Sequence, residues 1–175
     1  KYTTTPKECQ STLEMMYNRR VASSIGLFIF IPFCRIKCTY CDFNVYAHLA
    51  RLMEPYAEAV AREIRNSKFV IRNSPAPPRA HSIYFGGGTP SVIPAAQLEK
   101  MLRACRDAFD ILPDAEITLE ANPATADEAK MRAWRAAGIN RLSIGVQAFD
   151  DATLKRLNRG HTVADALEMF EMARR

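Results

Sequence analysis

The chain has 175 residues, 48% apolar and 25% charged, with a net charge of +5. That suits one globular domain or part of one, with enough apolar material for a core. No block of like charge marks a nucleic-acid arm. No window reaches the ~18 apolar residues of a membrane helix, and the polar, mixed-charge start does not read as a signal peptide.

Residues 1–24 carry little pattern and read as an N-terminal extension; 25–175 read as the core domain. Ile25–Phe33 is continuously apolar, as expected of a strand buried on both faces. A cysteine-rich loop follows. Met53–Ser67 reads as a helix, with Tyr56, Val60 and Ile64 on one stripe. Asn73–Arg79 carries three prolines and reads as a loop. Ser82–Phe85 is a second strand running into Gly86, Gly87 and Gly88, and Pro94–Phe109 the next helix.

Glu116–Ala121 is a third strand, ending at Asn122-Pro123. Thr125 and Glu128 have the spacing of a capping box for a helix that stops at Gly138. Arg141–Phe149 is a fourth strand. Asp150 caps a short helix, and Thr162 with Asp165 opens the last one. Alternating strands and helices predict an α/β fold with a parallel sheet and right-handed crossovers. Periodicity does not choose between a doubly wound sheet and part of a barrel. Arg175 falls inside a helical pattern, so the chain is expected to be truncated there, after about four strands.

The chemistry-bearing residues all follow strands. Ligands in parallel α/β folds bind outside the C-terminal strand ends, so one shared site is the economical expectation. Five cysteines, three of them in Cys34-x3-Cys38-x2-Cys41, do not resemble a disulfide framework. They point to a reducing compartment and a metal site. Short gaps let the three thiolates converge on zinc or an iron–sulfur cluster. Three ligands rather than four leave a position open for substrate. A structural zinc completed by Cys9, His48 or Cys105 is the alternative; Cys105 lies on an apolar helical stripe and reads as core.

The glycine triplet allows close backbone approach by a ligand, or only a tight turn. Glu120 suits an ammonium or a ribose, or is a rim charge. Gln147 can hydrogen-bond a ribose. Arg159 is either a ligand contact or a helix C-terminal cation. His48, His81 and His161 share no metal-type spacing, and Trp134 reads as packing.

The ordered series Ile31-Pro32-Phe33-Cys34, Cys41-Asp42-Phe43-Asn44, Tyr84-Phe85-Gly86-Gly87-Gly88-Thr89-Pro90-Ser91, Glu120-Ala121-Asn122-Pro123, Arg141–Phe149 and Leu157-Asn158-Arg159-Gly160-His161 resembles one group of the radical S-adenosylmethionine (SAM) superfamily. The group comprises the oxygen-independent coproporphyrinogen III oxidases and the related heme chaperones of the HemW type. The resemblance implies an incomplete (βα)6-type barrel and a [4Fe-4S] cluster on Cys34, Cys38 and Cys41. It implies SAM on the unique iron, cleaved reductively to a 5′-deoxyadenosyl radical and methionine.

By matching motif positions, Tyr40 packs near SAM, and Gly87, Gly88 and Thr89 bind its methionine end. Glu120, Gln147 and Arg159 make polar contacts. Phe28 stands where the family has a tyrosine and Phe30 where it often has a histidine, so a hydroxyl contact to SAM is lost or moved. The oxidases usually carry a further cysteine where this chain has Phe43, which favours the chaperone branch. That branch implies heme as ligand, bound outside this chain, with heme-accepting proteins and a flavodoxin- or ferredoxin-type electron donor as partners. A cytoplasmic setting is expected.

Overall fold

The computed structural model describes residues 24–67 and 77–175. Residues 1–23 of the N-terminal extension, Cys9 among them, and most of the proline-rich loop lie outside the described residues. Strands are β1 (Ile25–Ile31), β2 (Phe33–Cys34), β3 (Tyr46–Ala47), β4 (Arg79–Gly87), β5 (Asp110–Ala121) and β6 (Arg141–Ile144). Helices are α1 (Met53–Ser67), α2 (Ala95–Ala108), α3 (Glu128–Ala137), α4 (Asp151–Arg156) and α5 (Val163–Arg174).

The main sheet runs β1-β4-β5-β6, every neighbour parallel. Space order equals chain order. A doubly wound sheet reverses direction once; this one does not. Right-handed crossovers that always step the same way put every connecting helix on one face. Accordingly α1 packs on α2 and α2 on α3. This is the curl of a barrel wall, cut open.

Register assigns the faces. Ile29, Phe85, Leu119 and Leu142 are cross-strand neighbours and face the helices. With Ile31, Ile83, Leu98, Met101, Leu102 and Trp134 they form the core. Each large apolar side chain buried there contributes about 1.5–3 kcal/mol. Ala57 and Ala61 are fully buried on α1, which lets α2 come close.

The opposite face carries Phe28, Tyr84, Thr118 and Arg141 in one row. Among the described residues no helix lies on it, and Phe28 is 64% exposed. The expectation that the first strand is buried on both faces is therefore corrected. Its apolar run splits into a helix-covered row and an open aromatic row, where Phe28 and Tyr84 stack with centroids 5.8 Å apart.

Several boundaries also differ from expectation: β1 stops at Ile31, not Phe33, and β4 runs from Arg79 to Gly87, not Ser82 to Phe85. β5 begins at Asp110, not Glu116, because Ala80 pairs with Ile111 before a bulge carries the register on to Ser82 and Glu116. Pro113 falls inside that bulge, where no ladder donor is needed. β6 stops at Ile144, not Phe149: the Gly145 N–H still reaches Ala121 O at 2.8 Å, and then Val146 and Ala148 each bond back two residues. The α3 cap is Asp127, accepting from Lys130 N–H, not Thr125. Thr125 instead donates to Asn122 O and shares a 2.6 Å bond with Ser91.

Candidate functional site at the strand ends

The C-terminal ends of β1, β4, β5 and β6 carry the cysteine loop, the glycine triplet, Glu120–Pro123 and the Gly145–Gln147 turn. Around them lies the loop Asn158–His161, between α4 and α5.

The cysteine loop is held down along its length. Gly88 N–H donates to Ile31 O, and Thr89 N–H to Phe33 O, both at 2.8 Å. Thr39 N–H donates to Leu157 O, and Asn158 Nδ2 to Lys37 O at 2.8 Å. Arg35 Nη1 donates to Ala124 O at 2.9 Å. A Cβ on Gly160 would stand 2.9 Å from Ile36 Cδ1, so that loop lies flat on the cysteine loop. Residues from three other βα units thus shape one eight-residue motif.

Cys34, Cys38 and Cys41 are half-buried free thiols. Burial pushes the Cys34 thiol up; the Thr89 hydroxyl opposes this, and nearby Cys41 and Cys38 add to it. Thr89 Oγ1 lies 3.5 Å from Cys34 Sγ, and Arg159 Nη1 lies 3.3 Å from Cys38 Sγ. Arg159 Nη1 also donates to Tyr40 Oη at 3.3 Å. Burial, opposed by Arg159, pushes the Tyr40 phenol up.

Glu120 is held by both oxygens. Tyr84 Oη donates to Oε1 at 2.7 Å and Gly87 N–H to Oε2 at 3.0 Å. Phe28 stacks on Tyr84, which holds Glu120. A Cβ on Gly86 would stand 2.7 Å from the Tyr84 ring and 3.0 Å from the Phe28 ring. Gln147 is exposed in a left-handed conformation, φ 70°. It projects from the tight turn rather than from a strand, beside Gly145 and Arg159.

Cys105 is fully buried in the core, its thiol pushed up to about 12 by burial. That bears out the core reading and leaves it no role as a metal ligand. His161 is buried and bonds Val146 O, which fits a structural role. His48 lines a crevice of about 600 Å³ beside Cys34, with Arg51 and Gln97. A cavity of about 50 Å³ lies between the cysteine loop, Asn122 and Arg159; that is room for a water or two, not for a nucleoside.

Tyr84, Asn122, Lys130 and Asn158 are the site residues that motif reading left without a role. Lys130 Nζ donates to Ser91 O at 2.6 Å and Thr125 O at 3.2 Å, and lies over the Trp134 ring. Burial, with Arg35 nearby, lowers its pKa. Tyr84, Asn122 and Asn158 stand inside the quoted motifs, and Asn122 directly follows the end of β5.

Residues 28–175 match the sequence profile of the Radical SAM superfamily. The chain belongs to the radical SAM superfamily. This radical SAM chain is 36% identical over 151 residues to heme chaperone HemW of Haemophilus influenzae, a match covering 86% of the chain and 39% of HemW. It is 38% identical over 152 residues to the mitochondrial radical S-adenosyl methionine domain-containing protein 1 of Bos taurus, covering 86% of the chain and 33% of that protein. Coproporphyrinogen III oxidase (HemN) from Escherichia coli, a radical SAM enzyme, has the same fold with a TM-score of 0.78 and 28% identity, over 94% of this chain and 37% of HemN. The chain spans about a third of the length of these relatives, 33–39%.

Membership implies the cofactors of the superfamily, a [4Fe-4S] cluster and SAM. The donor set fits a cluster: three thiols on one loop, with Thr89 and Arg159 donating toward two of them. Among the described residues no three His, Cys, Asp or Glu side chains already stand as a metal cage. Metal sites ordinarily close only around their metal. Among the described residues no helix is long and apolar enough to cross a membrane.

Proposed function

We propose that this chain is the cluster- and SAM-binding part of a HemW-like heme chaperone, residues 25–175 forming the radical SAM core domain behind an N-terminal extension. The observation that carries this is the cysteine loop, pinned by Thr89 and Arg159 from separate βα units, in a chain 36% identical to HemW.

Cys34, Cys38 and Cys41 would hold the cluster. When bound, the cluster supplies one electron for reductive cleavage of SAM. The rest is the work of the chain. The Gly87–Thr89 backbone and Tyr40 orient the methionine end of SAM beside the cysteine loop. Glu120, already aimed by Tyr84 and Gly87, accepts hydrogen bonds from SAM, as Gln147 and Arg159 bind its polar groups. Phe28 lines the open sheet face and gives apolar contact without a hydroxyl. The 50 Å³ cavity is too small for SAM, so these residues would hold SAM outside it.

The chaperone reading rests on Phe43, 64% exposed, where the oxidases usually have another cysteine, and on the relatives named HemW. Heme would bind in the remainder of the protein and pass to acceptor proteins, with a flavodoxin- or ferredoxin-type protein as electron donor. The setting is cytoplasmic. The likeness to HemN supports a second reading, oxidative decarboxylation of coproporphyrinogen III.

The test is anaerobic reconstitution of the full-length protein with iron and sulfide, read by EPR with and without SAM. A cluster signal that changes with SAM and is lost in Cys38→Ala is expected. Zinc without sulfide would overturn the cluster reading. Stoichiometric heme binding without turnover is the chaperone outcome; formation of protoporphyrinogen from coproporphyrinogen III, SAM and a reductant is the oxidase outcome.

A further inference from the structure

Two of the three motif sulfurs are joined by an unbroken line of hydrogen bonds through Asn122. Thr89 Oγ1 reaches Cys34 Sγ at 3.5 Å. Asn122 Nδ2 donates to Thr89 Oγ1 at 3.1 Å. Arg159 Nη2 donates to Asn122 Oδ1 at 2.6 Å. Arg159 Nη1 closes the line on Cys38 Sγ at 3.3 Å.

The direction of every proton in this line is fixed by chemistry. A guanidinium only donates, so the Asn122 atom facing Arg159 is its oxygen. The amide nitrogen then faces Thr89 and donates to it. With that lone pair engaged, the Thr89 proton is free, and Cys34 Sγ is its partner. Both ends of the line therefore present donors to sulfur. Only a side chain with an acceptor on one side and a donor on the other joins the two halves.

Asn122 is built into this place. Its N–H donates to Ser91 Oγ at 3.2 Å, and its carbonyl accepts from Thr125 Oγ1. A Cβ on Gly145 would stand 2.7 Å from Asn122 Oδ1, so Gly145 leaves just enough room for the amide. Arg159 is also anchored on Gly145 O at 2.8 Å.

We propose that Asn122 is a positioning residue that aims hydrogen-bond donors at the Cys34 and Cys38 sulfurs and thereby raises the reduction potential of the cluster they hold. The proposal rests on the cluster reading above. Donors to cluster sulfurs stabilise the reduced, more negative state. Linked donors polarise one another, so the two ends act together.

The experiment is a potentiometric EPR titration of the reconstituted full-length protein without SAM, which removes any effect on SAM binding. Asn122→Leu keeps the volume and loses both bonds. It is expected to lower the midpoint by a tenfold change in the reduced-to-oxidised ratio, about 59 mV for one electron. Thr89→Val should give part of this shift and Thr89→Ser none. The double variant Asn122→Leu/Thr89→Val should fall no lower than Asn122→Leu alone, because the bonds lie in series. A full cluster complement with an unmoved midpoint in Asn122→Leu overturns the proposal and leaves the cluster reading intact. Where Asn122→Leu holds no cluster, Thr89→Val decides by the same criterion. A wild-type protein that assembles no cluster overturns the cluster reading and this proposal with it.

Discussion

Gly88 has no room for a side chain. A Cβ there would stand 2.7 Å from Phe33 O, 3.0 Å from Cys34 Sγ and 3.0 Å from Ile31 O. Two of those atoms are backbone and cannot swing aside. Gly88→Ala is expected to cost about 1–3 kcal/mol and to displace the cysteine loop, read by urea denaturation and by faster maleimide labelling of Cys34. Lys130→Met removes the donor shared by Ser91 O and Thr125 O. It should cost about 1–3 kcal/mol, measured in the same denaturation series. The glycine triplet and the cysteines were legible in the sequence because their spacing is local. Tyr84, Asn122 and Lys130 were not, because their partners lie 30 or more residues away along the chain. Nothing in a string of residues says that a lysine in a helix will bond a carbonyl beside a glycine loop.

The α3 entrance separates capping from bridging. Asp127→Ala should weaken α3 by about 1 kcal/mol, visible as lost helix signal at intermediate urea. Thr125→Val should leave α3 intact and destabilise globally, since it breaks the buried Ser91 pair. The sequence placed the cap at Thr125 because Thr-x-x-Glu is a capping pattern; Asp127 won by standing next to the first helical residue. The Thr162–Asp165 box and the Asp150 cap agree with the sequence pattern.

Between α4 and α5, burial holds the His161 imidazole below its ordinary pKa. The unfolded chain therefore takes up the proton first. Stability is full above about pH 6.5, the unfolded value, and declines as pH falls toward the folded one. The urea midpoint should drop from pH 7 to pH 5, and His161→Gln should flatten that slope. Asp150 and Asp165, both held below the carboxylate range, act only at lower pH.

On the scale of the whole molecule, β1 and β6 each have one neighbour in the main sheet, and both are open on their outer edge among the described residues. Residues 24–175 expressed alone should self-associate through these edges, seen as high-mass species in size-exclusion light scattering; a monomer with one cooperative unfolding transition would contradict this. The alternation of strands and helices was plain in the sequence. The choice of a barrel-type wall over a doubly wound sheet came only from the motif resemblance, because it depends on strand order, which hydrophobic period does not encode. The openness of the Phe28 face was hidden for a related reason: an apolar run looks the same whether or not a partner covers its second side.

The clamp on the cysteine loop also sets a timetable. Arg159 and Asn158 stand 121 residues beyond their partners Cys38 and Lys37. During synthesis the sheet can grow strand by strand in the order the ribosome delivers it. The cysteine loop emerges more than a hundred residues before its fastening. While the residues between are being translated, the three thiols are expected to lie on a loop tethered at one side only. Cluster insertion is expected to wait until the fourth βα unit has docked, and a nascent chain that stalls before Arg159 is expected to expose its thiols rather than a finished site.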